Sequence, residues 1–226
     1  AVTGVQTCAI PICGIPHADG YESKLDAVLS RTPVVAAAAA SGAGAPSAAT
    51  HVIAPTLAEM HEGFSLMLQG RVLPRPAFLA NVPSIDDPGV APDGSHVLSL
   101  EALYTPYALA GGWPASDEPD RWLDLFGGIT VDGVGAFRDS ITTWRAMTPD
   151  RYEREFHLPH GHATSFAGGP LAAFRPRDPE LLRYRTAVEG LYLTGAATFP
   201  GAGVWGAAGR NAATVILARL GSGARA

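Results

Sequence analysis

The last forty residues constrain this chain more than any other part of it. Val188-Glu189-Gly190-Leu191-Tyr192-Leu193-Thr194-Gly195 reads as a buried strand ending in glycine, and the glycine-rich run from Ala196 to Gly206 follows it. A helix is expected over Ala207 to Leu220, with Val215, Ile216 and Leu220 on its apolar side and Gly221 and Gly223 as stops. Arg219 suits the negative end of that helix's dipole. A strand that enters a glycine turn and leaves as a helix offers unpaired amides and partial positive charge to a ligand. Glycines let a planar or anionic group approach the backbone closely.

Gly201-Ala202-Gly203-Val204-Trp205-Gly206 has the form GxGxxG. A dinucleotide fingerprint also needs a second strand after the helix and an acidic residue about 20 positions on. No acidic residue follows Gly206, so this loop is not the pyrophosphate site of a full Rossmann unit. The bland alternative is a glycine turn that only lets strand and helix pack tightly.

The string Gly190 to Gly195, continued through Gly209-Arg210-Asn211-Ala212-Ala213, resembles the C-terminal motif of phytoene desaturase-like flavoproteins. Weaker matches follow the same order upstream: Pro83 to Asp86, Ala91 to Ser99, Thr148-Pro149, Phe174-Arg175-Pro176 and Tyr184-Arg185-Thr186. Together they span roughly residues 50–220. Phe199 stands where the family often has His, Ala202 and Ala208 replace a Gly and a Pro, and the turn before the family's HG pair reads Leu158-Pro159-His160-Gly161.

The resemblance implies an α/β fold: an incomplete FAD/NAD(P)-binding Rossmann-like flavoprotein lacking its N-terminal βαβ unit, with an antiparallel-sheet-plus-helices substrate domain. Residues 13–165 are expected to form the substrate-domain portion, and 166–226 the C-terminal strand, loop and helix of the FAD-binding domain. The implied cofactor is FAD, held by Gly195, Ala196, Gly201, Gly203, Val204, Trp205, Gly206 and Ala207. Amides from Val204 to Ala207 would stabilise negative charge on the ring as it is reduced. The implied activity is dehydrogenation or desaturation at an apolar C–H bond, with a carotenoid- or isoprenoid-like substrate. No catalytic base is named. The chain alone, without the unit that binds the ADP half of FAD, is expected to be inactive. The expected partners are a small apolar substrate, the absent N-terminal half and a peripheral membrane contact. An amine-oxidase-like flavoenzyme is the alternative, with Phe199 and Trp205 as the aromatic residues to inspect, and a non-catalytic binding or structural fragment is another.

Composition narrows the rest. With 47% apolar residues the chain can bury a core, and a net charge of −5 with no basic stripe argues against nucleic-acid binding. Cys8 and Cys13 lie at the N-terminus, which fits a reducing compartment, and a cytoplasmic location is expected. Residues 1–12 read as a translated sequencing adapter and are left out of fold reasoning.

The remaining chain gives element-level expectations. Tyr21 to Leu29 shows apolar Leu25, Val28 and Leu29 at helical spacing. Residues 34–49 suggest a buried strand or short helix, then a loop. Residues 56–69 predict a helix with a Thr56/Glu59 capping box, an apolar stripe of Leu57, Met60, Phe64, Met67 and Leu68, and a stop at Gly70. Residues 77–109 read as strands and turns, 116–126 and 134–144 as helical, 148–176 as loop. His157, His160 and His162 could ligate zinc by spacing alone, but loop histidines near the cofactor are preferred, and no metal is expected. Ser165 lacks a GxSxG elbow, which leaves a hydrolase without support. Arg210 opposes the helix dipole and is expected in an ion pair. Trp113, Trp122 and Trp144 are expected as core or interface anchors.

Overall fold

In the computed structural model, residues 20–40, 49–162, 179–201 and 206–223 are described. The chain divides into two compact units, one of residues 18–162 and one of 1–17 with 163–226. The adapter-like segment, Cys8, Cys13 and Ser165 lie outside the described residues.

The larger unit is built on a five-stranded antiparallel sheet in the order β2-β3-β4-β1-β5. Its centre is β1 (Gly20–Leu29) paired with β4 (His96–Pro106). The helical spacing expected for Tyr21 to Leu29 is overturned. Ser23, Leu25, Ala27 and Leu29 all turn inward with period two, and Val28 faces the other side. The decisive pattern is small-and-apolar against charged: Glu22, Lys24 and Asp26 alternate with the buried set. Tertiary pairing on both edges then fixes the strand, with Leu25 opposite Leu100 on β4 and Ala146 on β5.

Helix α1 (Ala36–Ala40) leads to β2 (Thr50–Ile53), and α2 (Leu57–Leu68) follows. The capping box forms as the sequence indicates, with the Glu59 amide donating to Thr56 Oγ1 at 3.3 Å and the Thr56 amide donating to Glu59 at 2.8 Å. Helix α2 ends at Gln69, and Gly70 takes a positive φ of 71°. Its buried face differs from the expected stripe. Gly63, Leu66 and Met67 are buried, whereas Leu57, Phe64 and Leu68 are exposed. The cause is the small residue: Gly63 lets the helix lie against the Tyr104 ring and Leu73, which rotates the stripe outward.

Strand β3 (Phe78–Asn81) and two 3-10 turns, Pro83–Ile85 and Pro88–Val90, precede β4, as the Pro, Asp and Gly turn residues dictate. Helices α3 (Glu118–Gly128) and α4 (Gly133–Ser140) supply Trp122, Leu123, Phe126 and Phe137 to the core under the sheet. Phe126 meets Phe137 edge-on at 5.4 Å, and Trp113 meets Trp122 at 6.0 Å. Ile141 and Trp144 were expected on a helix but belong to β5 (Ile141–Met147), because Ile141-Thr142-Thr143 is β-branched and pairs along β1. The loop expected from 148 is interrupted by α5 (Pro149–Phe156), which has proline in its first turn and Asp150 near its positive end.

Past α5, His157, His160 and Gly161 all take left-handed backbone angles. Gly161 is required there, since a Cβ would come within 2.2 Å of the Pro149 carbonyl oxygen. Glu153 ties the turn by accepting from the His160 amide at 2.9 Å and from the Tyr107 hydroxyl. The His160 ring stacks on Tyr107 with centroids 4.9 Å apart. His162 Nδ1 lies 2.9 Å from the Gly20 carbonyl, so the end of this unit is bonded to its beginning.

The smaller unit contains α6 (Pro179–Arg183) and α7 (Ala207–Gly223). The buried strand expected over Val188 to Gly195 is absent. Tyr192 makes a single antiparallel bridge to Arg185, and Val188 and Leu191 are exposed. A parallel strand forms only beside parallel neighbours, and none stands beside it among the described residues.

Candidate functional site

The glycine loop and the start of α7 are assembled around Tyr184, a buried residue with a left-handed φ of 61°. Its ring packs with Ala208, Ala212 and Val215 of α7. Its hydroxyl donates to the Phe199 carbonyl and accepts from Asn211 Nδ2 at 2.8 Å. Its own carbonyl accepts from the Leu193 amide at 2.9 Å. One side chain thus joins the loop to the helix. In the sequence Tyr184 stands out only as one term in an ordered set of family matches. The signal that marks it is its pairing with Asn211, 27 positions on.

Thr198, almost wholly buried, closes the turn before the loop. Its hydroxyl and amide both donate to the Gly195 carbonyl, at 2.8 and 3.1 Å, and its carbonyl accepts from the Gly201 amide at 2.8 Å. Gly195, Gly201 and Gly206 take φ values of 98°, 101° and 64°. Phe199 precedes a cis Pro200.

Of the eight expected cofactor contacts, Gly195, Ala196, Gly201, Gly206 and Ala207 are described, and Gly203, Val204 and Trp205 lie outside the described residues. Gly195 and Ala196 are exposed, Gly201 is buried, Gly206 is exposed and Ala207 is half-buried. A Cβ at Gly195, Gly206 or Gly209 would meet nothing within 4 Å among the described residues. Gly195 and Gly206 have left-handed backbone, and all three positions leave open space in front of the chain, so the described residues leave room for a planar group to approach the backbone. The first-turn amides of α7 have no partner four residues back within their own helix. Arg210 makes no ion pair among the described residues, contrary to expectation.

The histidines of the 157–162 turn belong to the larger unit. Among the described residues no group of three His, Cys, Asp or Glu side chains could hold a metal ion. The outer face of the sheet carries a titratable cluster. Partial burial, then the Glu101 carboxylate, raises the Glu22 pKa, against His162 and Lys24. Burial, then Glu22, Asp26 and Glu101, pushes the Tyr152 phenol up to about 12. Hydrogen bonds from Tyr107 and the His160 amide hold Glu153 below the usual carboxylate range. No helix among the described residues is long and apolar enough to cross a membrane.

Comparison with known proteins finds several relatives, among them two mammalian proteins and one bacterial protein. Pyridine nucleotide-disulfide oxidoreductase domain-containing protein 2 of Rattus norvegicus is 34% identical over 205 residues, which is 88% of this chain and 35% of that protein. The Mus musculus protein of the same name is 38% identical over 164 residues, 71% of this chain and 28% of that protein. A phytoene desaturase (lycopene-forming) of a Paracoccus species is 32% identical over 151 residues, 62% of this chain and 28% of that protein. The chain therefore spans about a third of the length of the curated relatives it matches. No family model matches it.

Proposed function

We propose that the chain is the C-terminal part of an FAD-dependent oxidoreductase acting on an apolar C–H bond, a reading supported by its similarity to pyridine nucleotide-disulfide oxidoreductase domain-containing protein 2 and to a phytoene desaturase. The observation that carries the reading is the loop from Gly195 to Ala207, which has left-handed glycines and open space at Gly195 and Gly206 and is pinned to its helix by Tyr184.

The flavin, when bound, supplies the acceptor for the hydride removed from substrate. The protein's part is to hold and tune it. Gly195, Ala196, Gly201, Gly203, Val204, Trp205, Gly206 and Ala207 are the residues we assign to its isoalloxazine and ribityl portion. The amides from Val204 to Ala207 favour negative charge on the ring, as donors in an oxyanion hole do. The ADP half is assigned to a βαβ unit in the remainder of the parent protein.

The larger unit is assigned to substrate. Beside its edge strand β2 lies a cleft of about 630 Å³ lined by Val35, Ala36, Val52, Ile53, Ala54 and Ile129, with Thr50 and His51 as its polar members. Ligand sites are typically about 300–1,000 Å³ and mostly apolar. Among the described residues no Asp, Glu, Lys or Arg lines this cleft, which supports an uncharged hydrocarbon substrate, isoprenoid-like in class.

The test is to purify the full-length parent and record its visible spectrum. Bound flavin, lost in an Ala196→Glu variant that keeps its wild-type melting curve, is the expected result. A colourless parent that stays colourless after incubation with FAD would overturn the assignment.

A further inference from the structure

Strand β2 lies at one edge of the sheet, and its pairing fixes which way each residue faces. His51 stands opposite Ala80 and Ile53 opposite Phe78 on β3, and Ala80 stands opposite Leu100 on β4. Ala80, Phe78 and Leu100 are buried in the core. Directly paired residues point the same way, so His51 and Ile53 face the core side of the sheet, while Thr50 and Val52 face the other. Thr50 is engaged, since its hydroxyl donates to Asn81 Oδ1 at 3.3 Å.

His51 is not engaged. Its side chain is half-buried in the lining of the cleft beside β2 and makes no hydrogen bond or ion pair among the described residues. A polar group withdrawn from water without a partner is destabilising, and an imidazole can both donate and accept. A ligand oxygen would supply the missing partner. The rest of the lining is hydrocarbon. Val35 bridges Thr130, and the Ala36 amide donates to the Ile129 carbonyl at 2.9 Å, which fixes Val35, Ala36 and Ile129 in place. Thr50 to Ala54 runs about 13 Å at about 3.3 Å per residue, with the imidazole near one end and apolar side chains beyond it. At about 30 Å³ for a water-sized group, a cleft of about 630 Å³ admits about twenty such groups.

We propose that His51 is a specificity-determining residue, which hydrogen-bonds a hydroxyl or carbonyl oxygen at one end of an isoprenoid chain of sesquiterpenoid or diterpenoid size. This rests on the assignment of the cleft to substrate and narrows that substrate from a bare hydrocarbon to one oxygenated at one end.

Amide-resolved NMR titration of the 226-residue chain with farnesol, farnesylacetone and farnesene tests the proposal, with the amides of Val35, Ala36 and Ile53 reporting occupancy of the cleft. An oxygenated ligand should bind about fivefold more tightly than farnesene, the worth of one neutral hydrogen bond. Preference for the alcohol identifies a hydroxyl, and preference for the ketone a carbonyl. His51→Leu should abolish the preference and leave farnesene affinity unchanged, whereas His51→Gln, which keeps a donor and an acceptor, should retain it. Equal affinity for all three ligands in the wild-type chain overturns the proposal while leaving the cleft a hydrocarbon site, and a preference that persists in His51→Leu also overturns it. If no ligand shifts the cleft amides, the proposal falls together with the assignment of the cleft to substrate. The flavin assignment is decided separately, by the spectrum of the parent.

Discussion

Replacing Tyr184 by phenylalanine isolates what one hydroxyl does for the glycine loop. The ring stays, so the packing against Ala208, Ala212 and Val215 is kept. Two hydrogen bonds go, one to the Phe199 carbonyl and one from Asn211. At about 1 kcal/mol net for each neutral bond, the loop should lose about 2 kcal/mol of local stability. Since about 1.4 kcal/mol is a factor of ten, exchange of the protected loop amides should accelerate about thirtyfold. The amides to follow are Phe199, bonded to the Leu181 carbonyl, and Gly201, bonded to Thr198. Asn211→Ala removes one of the two bonds and should give about fivefold. Amides of β4 in the larger unit serve as the internal reference. If Phe199 and Gly201 exchange within about twofold of wild type in the Phe variant, the hydroxyl does not hold the loop. In the full-length parent the same change should weaken flavin retention while leaving the larger unit's melting unaltered.

Other outcomes follow from the larger unit. Ser23 and Thr105, both fully buried, share a hydrogen bond of 3.0 Å, so Ser23→Ala should cost about 1–3 kcal/mol by stranding its partner. Ser23→Ala with Thr105→Val should cost clearly less than the sum of the singles in urea denaturation, and strict additivity would refute the pairing. Glu22 has a folded pKa above its unfolded one, so its contribution is full below the ordinary carboxylate pKa and is lost as pH rises through the raised value. Glu22→Gln should therefore raise the melting temperature at pH 7 and give no gain at pH 3, checked by calorimetry at both. Glu59 behaves oppositely. The Thr56 hydroxyl, the Thr56 amide and Arg75 lower its pKa to about 2, so its contribution is present above about 4.5 and lost as pH falls toward 2. Glu59→Gln should flatten the stability–pH curve across that window. Gly161→Ala would force a Cβ into Pro149 at a left-handed position, and should unfold the 157–162 turn, seen as loss of protection at the His160 amide.

The sequence showed most where a local rule and tertiary packing agree. The capping box at Thr56, the turn chemistry from Asp86 to Gly94 and the start of α7 at Ala207 were all legible, because each is decided within a few residues. It misled where two periods fit the same residues. Leu25, Val28 and Leu29 satisfy a helix, yet pairing with β4 and β5 selects the strand. The apolar stripe on α2 does not mark its packed face, because Gly63, not a large apolar residue, sits there. At the site, glycines advertise themselves, but Tyr184 does not. Its role comes from a contact with Asn211 across 27 positions that no local pattern encodes.

The bond between His162 and the Gly20 carbonyl gives residues 20–162 coincident ends. A module whose entrance and exit coincide can be lifted out, closed with a short linker, or grafted into a surface turn of another host without stretching its sheet. Gly20 has no room for a side chain, since a Cβ would lie 2.3 Å from the Thr105 carbonyl oxygen, so the seam is bare backbone and tolerates a change of flanking sequence better than a change at its own position.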